Sequence, residues 1–253
     1  MQEFIGSMTD LAHYLADEAG AIIRQYYRQP FDVKSKSDES PVTIADKSVE
    51  QRLRAIIKAK RPEDGIIGEE YGIKEAKNQY TWVLDPIDGT KSFVIGRPTF
   101  GTLIALCENG IPILGVIDQP ILGERWIGAH DQETLFNGKP VKTRRCVDLS
   151  QARLASTSPN QLEQEWTTLR QACNFMVWGG DCYSYGLLSM GGLDGVIETQ
   201  LSTYDYIAMP PIIEGAGGHI CDWGGKALDI NSDGMVCAIG DIALKDQLLD
   251  LLR

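Results

Sequence analysis

The chain has 253 residues, 43% of them hydrophobic, with six cysteines, three histidines and a formal net charge of −11. That composition fits a folded protein with a sizeable core, built as one large domain or two joined halves. The acidity argues against a general phosphate-backbone binder, and no apolar run approaches the roughly 18–20 residues of a membrane span, so neither nucleic acid nor membrane is an expected partner.

In chain order, the opening "MQEFIGSMTD" lacks a basic and an apolar leader region, so a cytoplasmic location is expected. Thr9 to about Tyr27 reads as an amphipathic helix capped by Thr9, with Leu11, Leu15, Ile22 and Tyr26 at helical spacing. "KSKSDESPVT" (Lys34–Thr43) is polar and turn-like, a loop expected to be mobile. A second helix runs from about Ile44 to Lys60 and ends before Pro62. "GIIGEE" reads as a short strand leading into acids. From Tyr80 to Phe136, "TWVL", "GTLIALC", "ILGVIDQ" and "ERWIGA" predict an antiparallel sheet. After about Lys142, strand and helix alternate. "ARLAS" leads to a helix in "TSPNQLEQEWTTLRQAC", with Ser158 as cap and Pro159 at its first position; "FMVWGG", "CYSYGLLSM" and "GVIETQ" follow. The expected organisation is an α+β half over residues 1–142 and an α/β half over 143–253. None of the six cysteines forms a C-x-x-C pair, and they read as reduced core thiols.

Three groups of acids stand at or near element ends: Glu69 and Glu70, Asp85 and Asp88 in "WVLDPIDGT", and Asp205 at the start of an apolar helix through "YIAMPPIIEGAGG". Singly, each has an ordinary reading. D-P-x-D-G is a common turn sequence, and Asp205 could simply cap a helix. Together they form an oxygen-only donor set, and a cluster of carboxylates is stable only when protonated, paired or metallated; Mg²⁺ or Mn²⁺ is the favoured cation. Pro86 biases Asp85 towards extended backbone. Asp88-Gly89-Thr90 reads as a turn into a helix, with Asp88 near the N-cap and free N–H groups offering a phosphate seat. Pro210 should kink or loosen the helix after Asp205.

"GEE" at 68–70, "WVLDPIDGTKSF" at 82–93 and "YDYIAMPPIIEGAGG" at 204–218 resemble the motifs of the inositol monophosphatase family, Mg²⁺-dependent and lithium-sensitive phosphatases. Tyr204 stands where the family motif has Trp, and Pro210-Pro211 interrupt the small residues. The resemblance implies an α/β fold, an alternating αβαβα layered sandwich of the inositol monophosphatase/fructose-1,6-bisphosphatase type, usually a homodimer, acting on a small phosphorylated metabolite with two or three Mg²⁺ ions. It implies Glu69, Asp85 and the Ile87 carbonyl as ligands of a first metal, Asp85, Asp88 and Asp205 of a second, and Asp46 near a third. Glu69 and Thr90 would orient the attacking water, and Asp88, Gly89 and Thr90 would form the phosphate seat. Lys36 lies on a loop that carries a lysine in many members.

Specificity is expected from the C-terminal half. Glu198, seven residues before Asp205, matches an acid that contacts substrate hydroxyls in inositol-specific members. However, "GDCYSY", Tyr204-Asp205 and the proline before "IIEGAGG" resemble the histidinol-phosphatase branch. Histidinol phosphate carries an ammonium and an imidazole, which two acids, Asp181 and Glu198, would pair with. Asp181 also reads as an N-cap of the following helix, and Tyr183 and Tyr185 read as packing residues. The expected activity is hydrolysis of L-histidinol phosphate in histidine biosynthesis. An inositol, sugar or nucleotide phosphatase of the same fold is the alternative, with a non-catalytic interaction protein as a third.

Overall fold

A computed structural model describes residues 2–29, 33–35, 41–159 and 163–252. Lys36 and the centre of the expected mobile loop lie outside the described residues. The flanks of that loop, β1 (Val33–Ser35) and β2 (Pro41–Thr43), pair antiparallel.

Helix α1 covers Gln2–Tyr26, starting a full two turns before the expected cap at Thr9. Ile5 and Met8 extend the buried stripe of Leu11, Leu15, Ala19 and Ile23 at three- and four-residue spacing, so burial carries the helix through Thr9. Helix α2 covers Ile44–Lys60, as expected. Strands β3 (Gly65–Gly68), β4 (Gly72–Lys74) and β5 (Tyr80–Asp88) follow, then helix α3 (Thr90–Val94). β6 (Gly101–Glu108), β7 (Ile111–Gln119), β8 (Glu124–Ala129), β9 (Leu135–Phe136) and β10 (Lys139–Pro140) complete an eight-stranded sheet of order β10-β9-β8-β7-β6-β5-β3-β4. It is antiparallel apart from the parallel β3–β5 pair.

The second sheet has the order β12-β11-β13-β15-β14, from β11 (Arg153–Ser156), β12 (Phe175–Trp178), β13 (Gly195–Glu198), β14 (His219–Asp222) and β15 (Val236–Ile239). Its helices are α4 (Glu163–Ala172), α5 (Tyr183–Ser189), α6 (Thr203–Tyr206), α7 (Met209–Gly215) and α8 (Lys245–Leu252). Pro159 lies in a turn, and residues 160–162, between it and the described part of α4, lie outside the described residues.

Three apolar clusters define alternating layers. The first joins α1 and α2 to one face of the large sheet, through Leu15, Ile23, Val49, Leu53, Trp82 and Ile104. The second lies between the sheets, where Val83, Leu103, Ile117 and Trp126 meet Tyr185, Leu188, Met209, Ile212 and Ile220. The third packs Trp166, Leu169, Leu244 and Leu248 beneath the second sheet. All six cysteines are buried free thiols.

The expected helix after Asp205 is two short helices. Ile207 and Ala208 separate α6 from α7, and Pro210 and Pro211 fall in the first turn of α7, where a missing N–H costs little. The start of α7 lies close on the sheet: a Cβ on Gly115 would stand 1.9 Å from the Ala208 carbonyl oxygen, and one on Gly128 would stand 2.2 Å from that of Pro211. Only glycine permits that approach.

Candidate active site

Asp85 and Asp88 lie three apart on β5, so regular alternation would send them to opposite faces. The pairing with β6 is regular up to Asp85–Leu103, then shifts before Asp88–Gly101. Pro86 sits within the shift. It has no N–H for the ladder, while its carbonyl accepts from the buried Thr102 hydroxyl at 2.8 Å. The irregularity re-aims the strand end: carboxylate oxygens of Asp85, Asp88 and Asp205 all lie within 4.8 Å of one another.

Asp205 is not a cap. Ser202 caps α6, and Asp205 is the third residue of a capping box, its Oδ2 accepting from the Ser202 N–H at 2.7 Å. Asp88 stands directly before an N-cap, as expected. Gly89 holds the N-cap position of α3 with φ 80°, and Asp88 Oδ2 accepts from the Cys182 N–H at 2.6 Å. Gly89 is required twice over, by its left-handed backbone and because a Cβ there would stand 2.7 Å from Asp181 Cγ. Thr90 Oγ1 donates to the Ile87 carbonyl at 3.2 Å, which joins two of the expected site groups.

Glu69 and Glu70 lie in the turn directly after β3, so the strand leads into the acids as expected. Glu50 builds that turn, a role invisible in the sequence. This fully buried side chain of α2 accepts from the Glu70 N–H at 2.6 Å and the Tyr71 N–H at 3.1 Å. Arg54 pairs with Glu50 at 2.6 Å and reaches the Gly72 carbonyl. The i,i+4 spacing of Glu50 and Arg54 on a helix was the available signal.

A cleft of about 230 Å³ is lined by Glu69, Asp88, Gly89, Thr90, Asp205, Asp181, Glu198 and Tyr185, among others. Asp181 does not cap α5; Cys182 holds that position. With φ 46°, Asp181 turns its Oδ2 to accept from Ser92 Oγ at 2.6 Å and Thr99 Oγ1 at 3.0 Å. Glu198 is buried and accepts from the Thr157 N–H and hydroxyl, both at 2.7 Å. Tyr183 donates to Glu124 at 2.5 Å and stacks edge-on against Trp126, so it packs as expected, while Tyr185 lines the cleft.

Burial and neighbouring acids dominate the electrostatics of Asp85 and Asp88. Burial pushes the Asp85 carboxyl well above its usual range, and Glu69, Asp88, Asp205 and Asp46 push it further. Asp88 is also raised, first by burial and then by Asp181 and Asp205, against the opposing hydrogen bonds from Cys182. Burial raises Glu198 to about 7 despite its Thr157 bonds. Asp85 Oδ1 is buried and has no hydrogen-bond partner among the described residues. An unpartnered carboxylate oxygen facing further carboxylates is the environment a cation stabilises, and the all-oxygen donor set fits Mg²⁺ or Mn²⁺.

The family model for the inositol monophosphatase family matches residues 6–252. The chain is 48% identical over 252 residues to the bifunctional phosphatase IMPL2, chloroplastic, of Arabidopsis thaliana, covering 94% of this chain and 73% of that protein. It is 36% identical to a histidinol-phosphatase of Chlorobaculum parvum, covering 90% of each. An inositol monophosphatase from Zymomonas mobilis superposes with TM-score 0.89 and 49% identity over 98% of both chains. A family match running almost from end to end and relatives of this identity and coverage agree: the chain belongs to the inositol monophosphatase family.

Proposed function

We propose that this phosphatase hydrolyses L-histidinol phosphate to L-histidinol and phosphate, with Mg²⁺, in histidine biosynthesis. The observation that carries the reading is the pair of acids, Asp181 and buried Glu198, which line the cleft beside the Asp85–Asp88–Asp205 cluster. A cationic alcohol moiety would neutralise them, whereas a neutral polyol requires hydrogen bonds but not two carboxylates. The histidinol-phosphatases among the relatives support the same choice.

In this reading Glu69, Asp85 and the Ile87 carbonyl would hold one Mg²⁺, Asp85, Asp88 and Asp205 would hold a second, and Asp46 would stand near a third; the same oxygen donors suit Mn²⁺. When bound, these ions lower the pKa of the attacking water and neutralise charge on the phosphoryl oxygens. The Glu69 carboxylate and the Thr90 hydroxyl orient that water. Asp88, Gly89 and Thr90 form the phosphate seat, the last two through their amides. The motifs of residues 1–142 thus handle phosphate, while residues 143–253 contribute Asp205 and read the alcohol. The reading also includes a cytoplasmic homodimer. Among the described residues no helix is long and apolar enough to cross a membrane.

Inositol 1-phosphate, or a sugar or nucleotide ester, is the second reading, favoured by the name of the Zymomonas mobilis neighbour. A panel of phosphate esters with Mg²⁺ separates the two. Histidinol phosphate should have the highest kcat/KM, and a far faster turnover of inositol 1-phosphate overturns the assignment.

A further inference from the structure

Tyr185 is 3% exposed, yet it lines the cleft together with Asp181, Glu198 and Asp205. Its hydroxyl is buried without a hydrogen-bond partner among the described residues. A buried phenol normally finds a partner, because a hydroxyl left without one forfeits its hydration with nothing in exchange. The buried ring nitrogens of Trp126, Trp166 and His219 also lack partners, but none of those residues lines the cleft.

Tyr185 is held firmly. It lies in the first turn of α5, its N–H donates to the Cys182 carbonyl at 3.0 Å, and its ring belongs to the core between the sheets. The adjacent Gly186 lies against Trp126, where a Cβ would come within 2.7 Å of the indole. Burial and the carboxylates of Glu198, Asp88 and Asp205 hold the phenol in its neutral form, with both a donor and an acceptor to offer.

We propose that the Tyr185 hydroxyl is a specificity-determining contact, hydrogen-bonding a ring or amino nitrogen of the leaving alcohol between the carboxylates of Asp181 and Glu198. This rests on the reading of the cleft as the place where the alcohol moiety of a phosphate ester binds. It converts an unsatisfied polar atom of the free protein into a satisfied one in the complex. A site built this way rejects esters without a matching polar atom.

The test is Tyr185→Phe, assayed with saturating Mg²⁺ on L-histidinol phosphate and on p-nitrophenyl phosphate, whose leaving group has no N–H. The KM for histidinol phosphate should rise about tenfold, the value expected for a lost hydrogen bond to a polar or charged partner. The kcat/KM for p-nitrophenyl phosphate should stay within about twofold. The melting temperature should hold or rise, since the hydroxyl removed has no partner in the free protein. An unchanged KM for histidinol phosphate, an equal loss on both esters, or a lowered melting temperature overturns the contact. If the wild-type protein instead prefers inositol 1-phosphate, the substrate assignment fails separately, and the same comparison on that ester decides whether Tyr185 reads its hydroxyls. Calorimetry of L-histidinol binding to both proteins gives a readout independent of turnover, with about tenfold weaker binding to the variant expected and equal binding refuting the proposal.

Discussion

Asp85→Asn isolates the electrostatic conflict at the centre of the site. In the metal-free protein, Asp85 meets Asp88 and Asp205 with carboxylate oxygens no more than 4.8 Å apart, and it is itself 2% exposed. At that separation and an effective dielectric of ~20, each fully ionised pair repels by about 3.5 kcal/mol. The whole of this is not realised. Burial and the neighbouring acids raise the Asp85 carboxyl, so it takes up a proton where ionisation becomes too costly, at about 1.4 kcal/mol per pH unit. Amidation removes the charge in an isosteric side chain and so relieves what remains, on the order of 1–3 kcal/mol at pH 8, or roughly 3–8 °C in melting temperature for a protein of this size. The assay is thermal denaturation in EDTA and in excess Mg²⁺. EDTA-treated Asp85→Asn should melt higher than EDTA-treated wild type. Mg²⁺ should stabilise the wild type, through preferential binding to the native state, and stabilise the variant much less. Phosphatase activity should be lost. A metal-free variant that melts lower than wild type, or one that keeps its Mg²⁺ stabilisation, refutes the account of Asp85 as an uncompensated metal ligand.

Glu198 makes a pH-dependent prediction. Its carboxyl is raised from 4.5 to about 7, so between those values the native state holds a proton that the unfolded state has released. Stability is therefore present below about pH 4.5 and lost as pH rises through 7, by on the order of 3 kcal/mol. Glu198→Gln should flatten that part of the stability–pH curve in urea titrations; an unchanged slope refutes the shift. Gly89→Ala must carry a side chain at φ 80° and place its Cβ 2.7 Å from Asp181, so kcat/KM should fall at least about a hundredfold while circular dichroism still reports a folded chain. Full activity in that variant would show that the backbone there is free to move. Glu50→Ala leaves the Glu70 and Tyr71 N–H groups and Arg54 without their buried partner, for a loss of about 3–5 kcal/mol and a weakened Mg²⁺ response. Unaltered stability would show that the Glu69 turn holds without Glu50.

Local chemistry carried much of the reading from sequence. Helix α2, the antiparallel run β5–β8 and the alternation that follows are written in hydrophobic periodicity, which depends only on neighbours along the chain. The acids Glu69, Asp85, Asp88 and Asp205 were legible as a donor set because like charges at successive element ends call for a common counter-charge. Tertiary structure decided how they meet. The shift in β5 after Asp85 depends on pairing with β6, and without it Asp85 and Asp88 would face opposite sides of the sheet. Turn chemistry placed Asp88 near an N-cap and offered Asp181 and Asp205 as caps. Contacts from distant segments hold two of them: Cys182, 94 positions on, donates to Asp88, and Ser92 and Thr99 donate to Asp181, while Asp205 accepts locally from Ser202. Glu50 was passed over, and Tyr185 was read only as a packing residue, for the same reason. The worth of a buried polar atom depends on which groups surround it, and only the packing of α2 against the Glu69 turn, and of α5 between the sheets, determines that.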